Sequence, residues 1–171
     1  MPDRTARRRR PESSRTRGVV ASACLLLLAA CGGSGAVEID SPDVSAADRK
    51  ACESFLDALP ERLADQESRS VTPADALGAA WGDPAFTITC GVGVPSGFDQ
   101  LSACTQVNGV GWFVPEDEAE GGSDATFTAV GYRPRVALRV PADRQPEGGA
   151  AALAQLAGPV KKQLELVDRC E

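Results

Sequence analysis

The most reactive side chains in this chain are six cysteines, and no histidine accompanies them. A catalytic thiolate needs a neighbouring base or a lowered pKa, and the sequence offers neither an imidazole nor a Cys-x-x-Cys pair. An even number of cysteines in a chain with an export signal, described below, indicates disulfides instead. The sequence therefore predicts two disulfides, with three pairings open, among Cys52, Cys90, Cys104 and Cys170.

Other catalytic arrangements are also missing from the sequence. Without histidine there is no Ser-His-Asp system and no histidine-ligated zinc site. The acidic segment from Glu116 to Asp124 does not have the spacing of an EF-hand. We therefore predict no catalytic residue, no metal site and no cofactor.

Two tryptophans and an aspartate are candidates for ligand contact. The residue before a proline is held extended, so Asp83 in Trp81-Gly82-Asp83-Pro84 would have a fixed direction beside the Trp81 indole. Together with Trp112 these side chains could contact a small molecule or a glycan. The favoured interpretation is structural, because tryptophan is more often part of a core and Asp-Pro often begins a strand.

Three arginines on and beside one predicted strand are the other candidates. Arg133, Arg135 and Arg139 could form an anion-binding stripe, since guanidinium groups grip phosphate or carboxylate with paired hydrogen bonds. Such a stripe is more often only solvated, and an acidic chain holds many carboxylates that can balance it.

The N-terminus has the organisation of an export signal, with seven arginines before the apolar run of residues 18–30. At 13 residues this run is shorter than the roughly 20 that a membrane-spanning helix needs. Leu28-Ala29-Ala30-Cys31 resembles a bacterial lipobox, which implies that Cys31 is acylated and begins the mature chain. Retention of the segment as a short uncleaved anchor is the alternative.

The signal divides the chain into three parts: a lipoprotein signal peptide over 1–30, a flexible Gly/Ser-rich tether over 31–44 and a single globular domain over 45–171. The expected location is the extracytoplasmic face of the cell membrane, through a lipid anchor. Cleavage removes seven of 18 basic and two of 24 acidic residues, which leaves a net charge of −11. This charge argues against nucleic acid as a partner.

Apolar spacing predicts the elements of the domain. Ser45-Ala-Ala-Asp48 has the spacing of a capping box, and the helix that follows should kink or end near Pro60. Thr72-Pro73 predicts a short second helix that ends at Trp81. Leucines and valines from Leu153 to Val167 predict a C-terminal helix that is bent or split at Gly158-Pro159.

Alternating residues predict strands at 86–90, 110–114, 125–130 and 135–140. Short connections favour antiparallel pairing. The predicted fold is α+β, with a small antiparallel sheet of about four strands and both terminal helices on one face. In this arrangement Cys52 would lie near Cys170 at one end of the helices, and Cys90 would close a loop with Cys104.

Several short motifs resemble an actinobacterial exported family known only as domain of unknown function 3515. These motifs are Trp81-Gly82-Asp83-Pro84, Cys90-Gly91-Val92 and the run from Val107 to Trp112, with Cys52 and Leu59-Pro60 before them. The resemblance covers roughly residues 51–141 and implies an exported protein. It implies no activity and no catalytic residue.

Two functions remain open from the sequence. The preferred one is a non-catalytic envelope lipoprotein that binds a membrane, cell-wall or envelope-protein partner. The alternative is a small-molecule or glycan binder or hydrolase that uses Trp81, Asp83 and Trp112.

Overall fold

The computed structural model describes residues 35–170, which form an α+β fold with two disulfides, as predicted. The predicted signal peptide and Cys31 lie outside the described residues. Within them, the helices are α1 (Ala46–Asp57), α2 (Glu116–Ala119) and α3 (Gln145–Gln163), and a 3-10 turn spans Ala142–Arg144. The strands are β1 (Val37–Glu38), β2 (Arg62–Leu63), β3 (Gln66–Arg69), β4 (Val71–Thr72), β5 (Gly78–Trp81), β6 (Phe86–Val92), β7 (Thr105–Val107), β8 (Val110–Trp112), β9 (Ala125–Thr128), β10 (Tyr132–Arg133), β11 (Arg135–Val140) and β12 (Glu165–Leu166).

Helix α1 has the predicted capping box. The Asp48 backbone N–H donates to Ser45 Oγ at 3.1 Å, and the Ser45 hydroxyl donates to the Asp48 carboxylate at 2.8 Å. The helix ends at Asp57, shortly before Pro60, whose ring cannot continue a helical turn. Its buried face carries Cys52 and Phe55.

The main sheet has six strands rather than about four, in the order β2-β3-β5-β6-β11-β9, and all neighbours are antiparallel. At its centre Ile88 lies opposite Leu138, and Thr89 lies opposite Ala137. Because side chains alternate along a strand, Ile88 and Leu138 face the helices while Thr89 and Ala137 lie on the outer face. Three strands of this sheet, β2, β3 and β5, were not predicted. The strand predicted at 110–114 is present as β8, but it pairs with β7 in a separate two-stranded sheet.

Helices α1 and α3 share one core with the inner face of the sheet. Its largest fully buried side chains include Phe55 from α1, Leu156 and Val160 from α3, and Phe86 and Leu138 from the sheet. Helix α3 runs through Pro159 as one element, so the predicted split there is wrong. Burial of its apolar stripe offsets the hydrogen bond that proline cannot make.

The helix predicted from Thr72 to Trp81 is wrong. This segment contains β4, a turn in which the Ala76 N–H donates to the Pro73 carbonyl at 3.0 Å, and then β5. Proline suits the start of a turn as well as the start of a helix. Strand β5 pairs with β3 on one side and β6 on the other, and this pairing outweighs the local helical preference.

The domain begins earlier than residue 45, so the tether predicted over 31–44 is wrong from Val37 onward. Strand β1 pairs in parallel with β4, and Ile39 is only 4 % exposed. Ile39 packs against Gly78, where an added Cβ would lie 2.8 Å from Ile39 Cδ1 and 2.5 Å from the Ile88 carbonyl oxygen. The lack of a side chain at Gly78 lets the N-terminal segment lie against the sheet.

The disulfides join Cys52 to Cys90 and Cys104 to Cys170, so the pairing favoured from the sequence is wrong. Cys90 lies on the inner face of β6, where α1 packs, and it therefore meets Cys52. Helix α3 ends at Gln163, and the chain then turns back through β12, which pairs with β10. Cys170 thereby reaches the loop that holds Cys104.

Candidate functional site

Trp81 and Trp112 belong to the core, with exposures of 1 % and 0 %. The Trp81 indole N–H donates to the Pro60 carbonyl at 3.0 Å, whereas the buried Trp112 indole N–H has no hydrogen-bond partner. Asp83 lies exposed in a turn, and its backbone carbonyl accepts from Arg144 at 2.8 Å. Neither indole is available as a platform, so these three residues do not form a ligand site.

The predicted arginine stripe is divided between two cavities. Arg139 forms an ion pair with Asp124, whose other carboxylate oxygen accepts the Ala142 N–H at 2.9 Å. This pair lines a cavity of about 440 Å³ on the outer face of the sheet, beside Thr87 and Thr89. Because Asp124 balances the charge of Arg139, this cavity is a weaker candidate for an anion.

Arg133 and Arg135 line a second cavity, of about 610 Å³, which we call the arginine cavity. A third arginine, Arg169, also lines this cavity, and no sequence pattern had indicated that residue. The volume lies within the range of small-molecule sites. The other lining residues are Phe98, Asp99, Gln100, Leu101, Ser102, Val130, Gly131, Asp168 and Cys170.

None of the three guanidinium groups forms an ion pair with a carboxylate among residues 35–170. Arg133 donates from Nη1 to the carbonyls of Val130 and Tyr132, at 3.0 and 2.7 Å. The Nε–H of Arg135 is buried and has no hydrogen-bond partner. A buried donor without a partner costs about 1–3 kcal/mol, so Arg135 occupies an unfavourable position in this state.

The electrostatic surroundings of Arg135 also make its position unfavourable. Burial lowers the pKa of the Arg135 guanidinium from its ordinary value, and the positive charge of Arg133 lowers this pKa further. Both causes indicate that the positive charge of Arg135 is partly desolvated and lies close to another positive charge. A bound anion would relieve both conditions.

The two carboxylates in the cavity wall are engaged with their own backbone. Asp99 Oδ1 accepts from the Leu101 N–H at 2.8 Å and from the Ser102 hydroxyl at 3.1 Å. Asp168 Oδ1 accepts from the Arg169 N–H at 2.8 Å. Three arginines and two carboxylates leave the cavity wall with one net positive charge in a strongly acidic chain.

The C-terminal segment brings Arg169 to the other two arginines. Strand β12 places Glu165 opposite Arg133, and the Cys104–Cys170 disulfide fixes the segment beyond it. A close approach at Gly131 makes this possible, because an added Cβ there would lie 2.2 Å from the Asp168 carbonyl oxygen. In the sequence, Cys170 is the one signal that Arg169 lies near the other two arginines, and it is informative only once its disulfide partner, Cys104, is known.

The side chains of the arginine cavity are suited to contacts with an anion. Its hydroxyl, on Ser102, also accepts from the Asp99 N–H at 2.9 Å and so belongs to the turn that shapes the loop. The cavity wall contains no imidazole and no free thiol, since Cys170 is in a disulfide. Guanidinium groups suit carboxylate and phosphate ligands because their N–H groups match the oxygens in pairs.

The fold and the cavity thus define a small disulfide-bonded α+β domain with an arginine-lined cavity. Within residues 35–170, no helix is both long enough and apolar enough to cross a membrane. The family model described as "Protein of unknown function (DUF3515)" matches residues 17–168, and the chain belongs to this family. No curated protein and no solved structure matches the chain.

Proposed function

We propose that this protein is a lipid-anchored, extracytoplasmic binding module that takes an anionic ligand, bearing a phosphate or carboxylate group, in the arginine cavity. The observation that carries this proposal is the convergence of Arg133, Arg135 and Arg169 on one cavity, without an ion pair to any carboxylate of residues 35–170. Binding, and not catalysis, is the role we assign to the site.

The charge of the whole chain makes this convergence informative. Acidic residues outnumber basic ones by 24 to 18, so carboxylates that could balance surface arginines are plentiful. Arg139 and Arg62 each have such a partner, in Asp124 and Glu67. The three arginines of the cavity have no such partner within the described part of the chain, residues 35–170, and Arg135 is partly buried as well. This combination is expected where a ligand supplies the negative charge.

The location rests on two independent features. Disulfides form and persist in oxidising compartments outside the cytoplasm, and this chain has two. The N-terminal segment has the charge, apolar run and Cys31 expected of a lipoprotein signal. Intact-mass measurement of the protein extracted from membranes tests the anchor. We expect a chain that begins at an acylated Cys31, and a chain that retains residues 1–30 would contradict it.

Calorimetric titration with inorganic phosphate and with acetate tests the ligand-binding role. We expect saturable binding of at least one anion and its loss in the double variant R135M/R169A, whose side chains make no described hydrogen bond. The matched control is R49A/K50A, which removes two exposed positive charges from α1 and leaves the cavity lining unchanged. Equal binding by both double variants would refute the proposed site.

A further inference from the structure

We propose that the arginine cavity and the apolar side chains around it form a docking surface for the anionic phospholipid headgroups of the membrane to which the protein is tethered. This inference rests on the proposed function, because it names the source of the anion. It adds hydrophobic contacts between the protein and the lipid acyl chains, which a soluble anion would not make.

An exposed apolar side chain lies beside the arginines. Leu101 is 93 % exposed and lines the arginine cavity. Leu166 and Val167 are 44 % and 49 % exposed, and they directly precede Asp168 and Arg169 in the cavity wall. Single exposed leucines are ordinary on a protein surface, but Leu101 lies in the wall of a cavity that also holds three arginines. Apolar side chains beside cationic ones are typical of surfaces that lie in a membrane interface.

The exposure of Leu101 is built into its loop. The Leu101 N–H donates to Asp99 Oδ1 at 2.8 Å, and the Asp99 N–H donates to Ser102 Oγ at 2.9 Å. Cys104 fixes the base of this loop to Cys170. These contacts hold the leucine outward beside the guanidinium groups. Insertion of Leu101 among acyl chains would bury a side chain that the fold leaves in water.

The length of the tether keeps the domain close to the membrane. Five residues, 32–36, separate the proposed anchor at Cys31 from β1 at Val37, and the six Cα–Cα steps between these two residues can span at most about 20 Å. A domain of this size has a radius of gyration of about 14 Å. The domain therefore stays within about one diameter of the headgroups, where even weak docking is favoured by the high effective concentration.

Anionic lipid supplies the charge that the cavity lacks. Each arginine near an anionic membrane surface strengthens docking roughly fivefold, and the effect is screened by salt. Removing two arginines should therefore lower the ratio of docked to free domains on the order of 25-fold. Removing Leu101 should lower it about tenfold or more, from the loss of one buried leucine side chain.

Hydrogen exchange of the full lipidated protein in vesicles tests this inference. We expect amides of residues 99–103 and 166–170 to exchange more slowly in vesicles of phosphatidylglycerol and phosphatidylcholine than in phosphatidylcholine alone. The variants R135M/R169A and L101S should lose this protection, whereas R49A/K50A should keep it. Leu101 is nearly fully exposed, so its replacement by serine leaves the fold unchanged.

Titration with soluble glycerol phosphate separates the two proposals. If glycerol phosphate binds to the wild type and not to R135M/R169A, while the vesicles give no protection, membrane docking is refuted and the anion site stands. If neither probe binds, both proposals are refuted. Equal protection in phosphatidylcholine vesicles would also overturn the role assigned to anionic headgroups.

Discussion

Arg135 is the residue on which the proposed site most depends, and its position is costly to the folded protein. Its buried Nε–H has no partner, and its guanidinium lies beside the positive charge of Arg133. A methionine would keep much of the apolar stem and remove both penalties. We expect R135M to increase the free energy of unfolding by about 1 kcal/mol while abolishing anion binding.

Denaturant unfolding and calorimetry of the same protein check this prediction. The control R49M replaces an exposed arginine on α1 and should change neither quantity appreciably. Destabilisation of R135M by several kcal/mol would instead identify Arg135 as a structural residue. A gain in stability with unchanged binding would place the ligand elsewhere.

Tyr132 is expected to make the folded protein less stable as the pH becomes alkaline. Burial raises the pKa of its phenol above the ordinary value of 10.0, and the charge of Arg169 opposes this shift only in part. Above pH 10 the unfolded chain loses this proton more readily than the folded chain, so stability decreases as the pH rises through the raised pKa. We expect the unfolding free energy of Y132F to decrease less between pH 9 and pH 11 than that of the wild type. An unchanged pH dependence in Y132F would show that Tyr132 does not cause it.

At the scale of elements, we predict that the two disulfides stabilise the fold to a similar extent but that only one of them affects anion binding. They close loops of 38 and 66 residues, and loop entropy assigns each about 4 kcal/mol. Only Cys104–Cys170 fixes the segment that carries Arg169. We expect C52S/C90S and C104S/C170S to be destabilised to a similar extent, and only C104S/C170S to lose anion affinity where both remain folded.

Calorimetry at low temperature, where both variants are most completely folded, provides the comparison. A loss of affinity in C52S/C90S as large as that in C104S/C170S would show that the disulfides act on binding only through general stability.

The packing of β12 depends on a glycine, and a second glycine provides the contrast. An added Cβ at Gly131 would lie 2.2 Å from the Asp168 carbonyl oxygen. An added Cβ at Gly158, in α3, would have open space around it, with no contact outside its own helix within 4 Å. We expect G131A to lower the unfolding free energy by about 2 kcal/mol and to weaken anion binding. G158A should stabilise the protein by about 0.5–1 kcal/mol, because alanine favours a helix. Thermal unfolding checks both, and a neutral G131A would contradict the close packing of this segment.

Local patterns in the sequence predicted the elements that depend on local chemistry. The Ser45 capping box, the end of α1 before Pro60 and the alternation in β6 and β11 were all readable because each is determined within a few residues. Strand β5 was missed because its pairing with β3 and β6 involves distant segments. The disulfide pairing was wrong because the return of the chain through β12 after Gln163 leaves no short-range signal.

The same limit applies to the site at the scale of the whole molecule. Arg133 and Arg135 stood out from their strand pattern, but Arg139, four residues beyond Arg135 on the same strand, is paired with Asp124. Arg169 lies 34 positions beyond Arg135 and joins the cavity only through the fold. The burial of Trp81 and Trp112 was the favoured interpretation and is confirmed.

For the whole molecule, we propose a domain held close to a membrane by its N-terminal anchor segment, where the arginine cavity binds an anion. This account depends on occupancy of the arginine cavity. The most direct test is to follow the arginine Nε–Hε resonances by NMR during titration with inorganic phosphate or glycerol phosphate, with assignments from single variants. The account predicts saturable shifts for Arg133, Arg135 and Arg169 and none for Arg49. Shifts that are absent from these three arginines, or equal for Arg49, would contradict it.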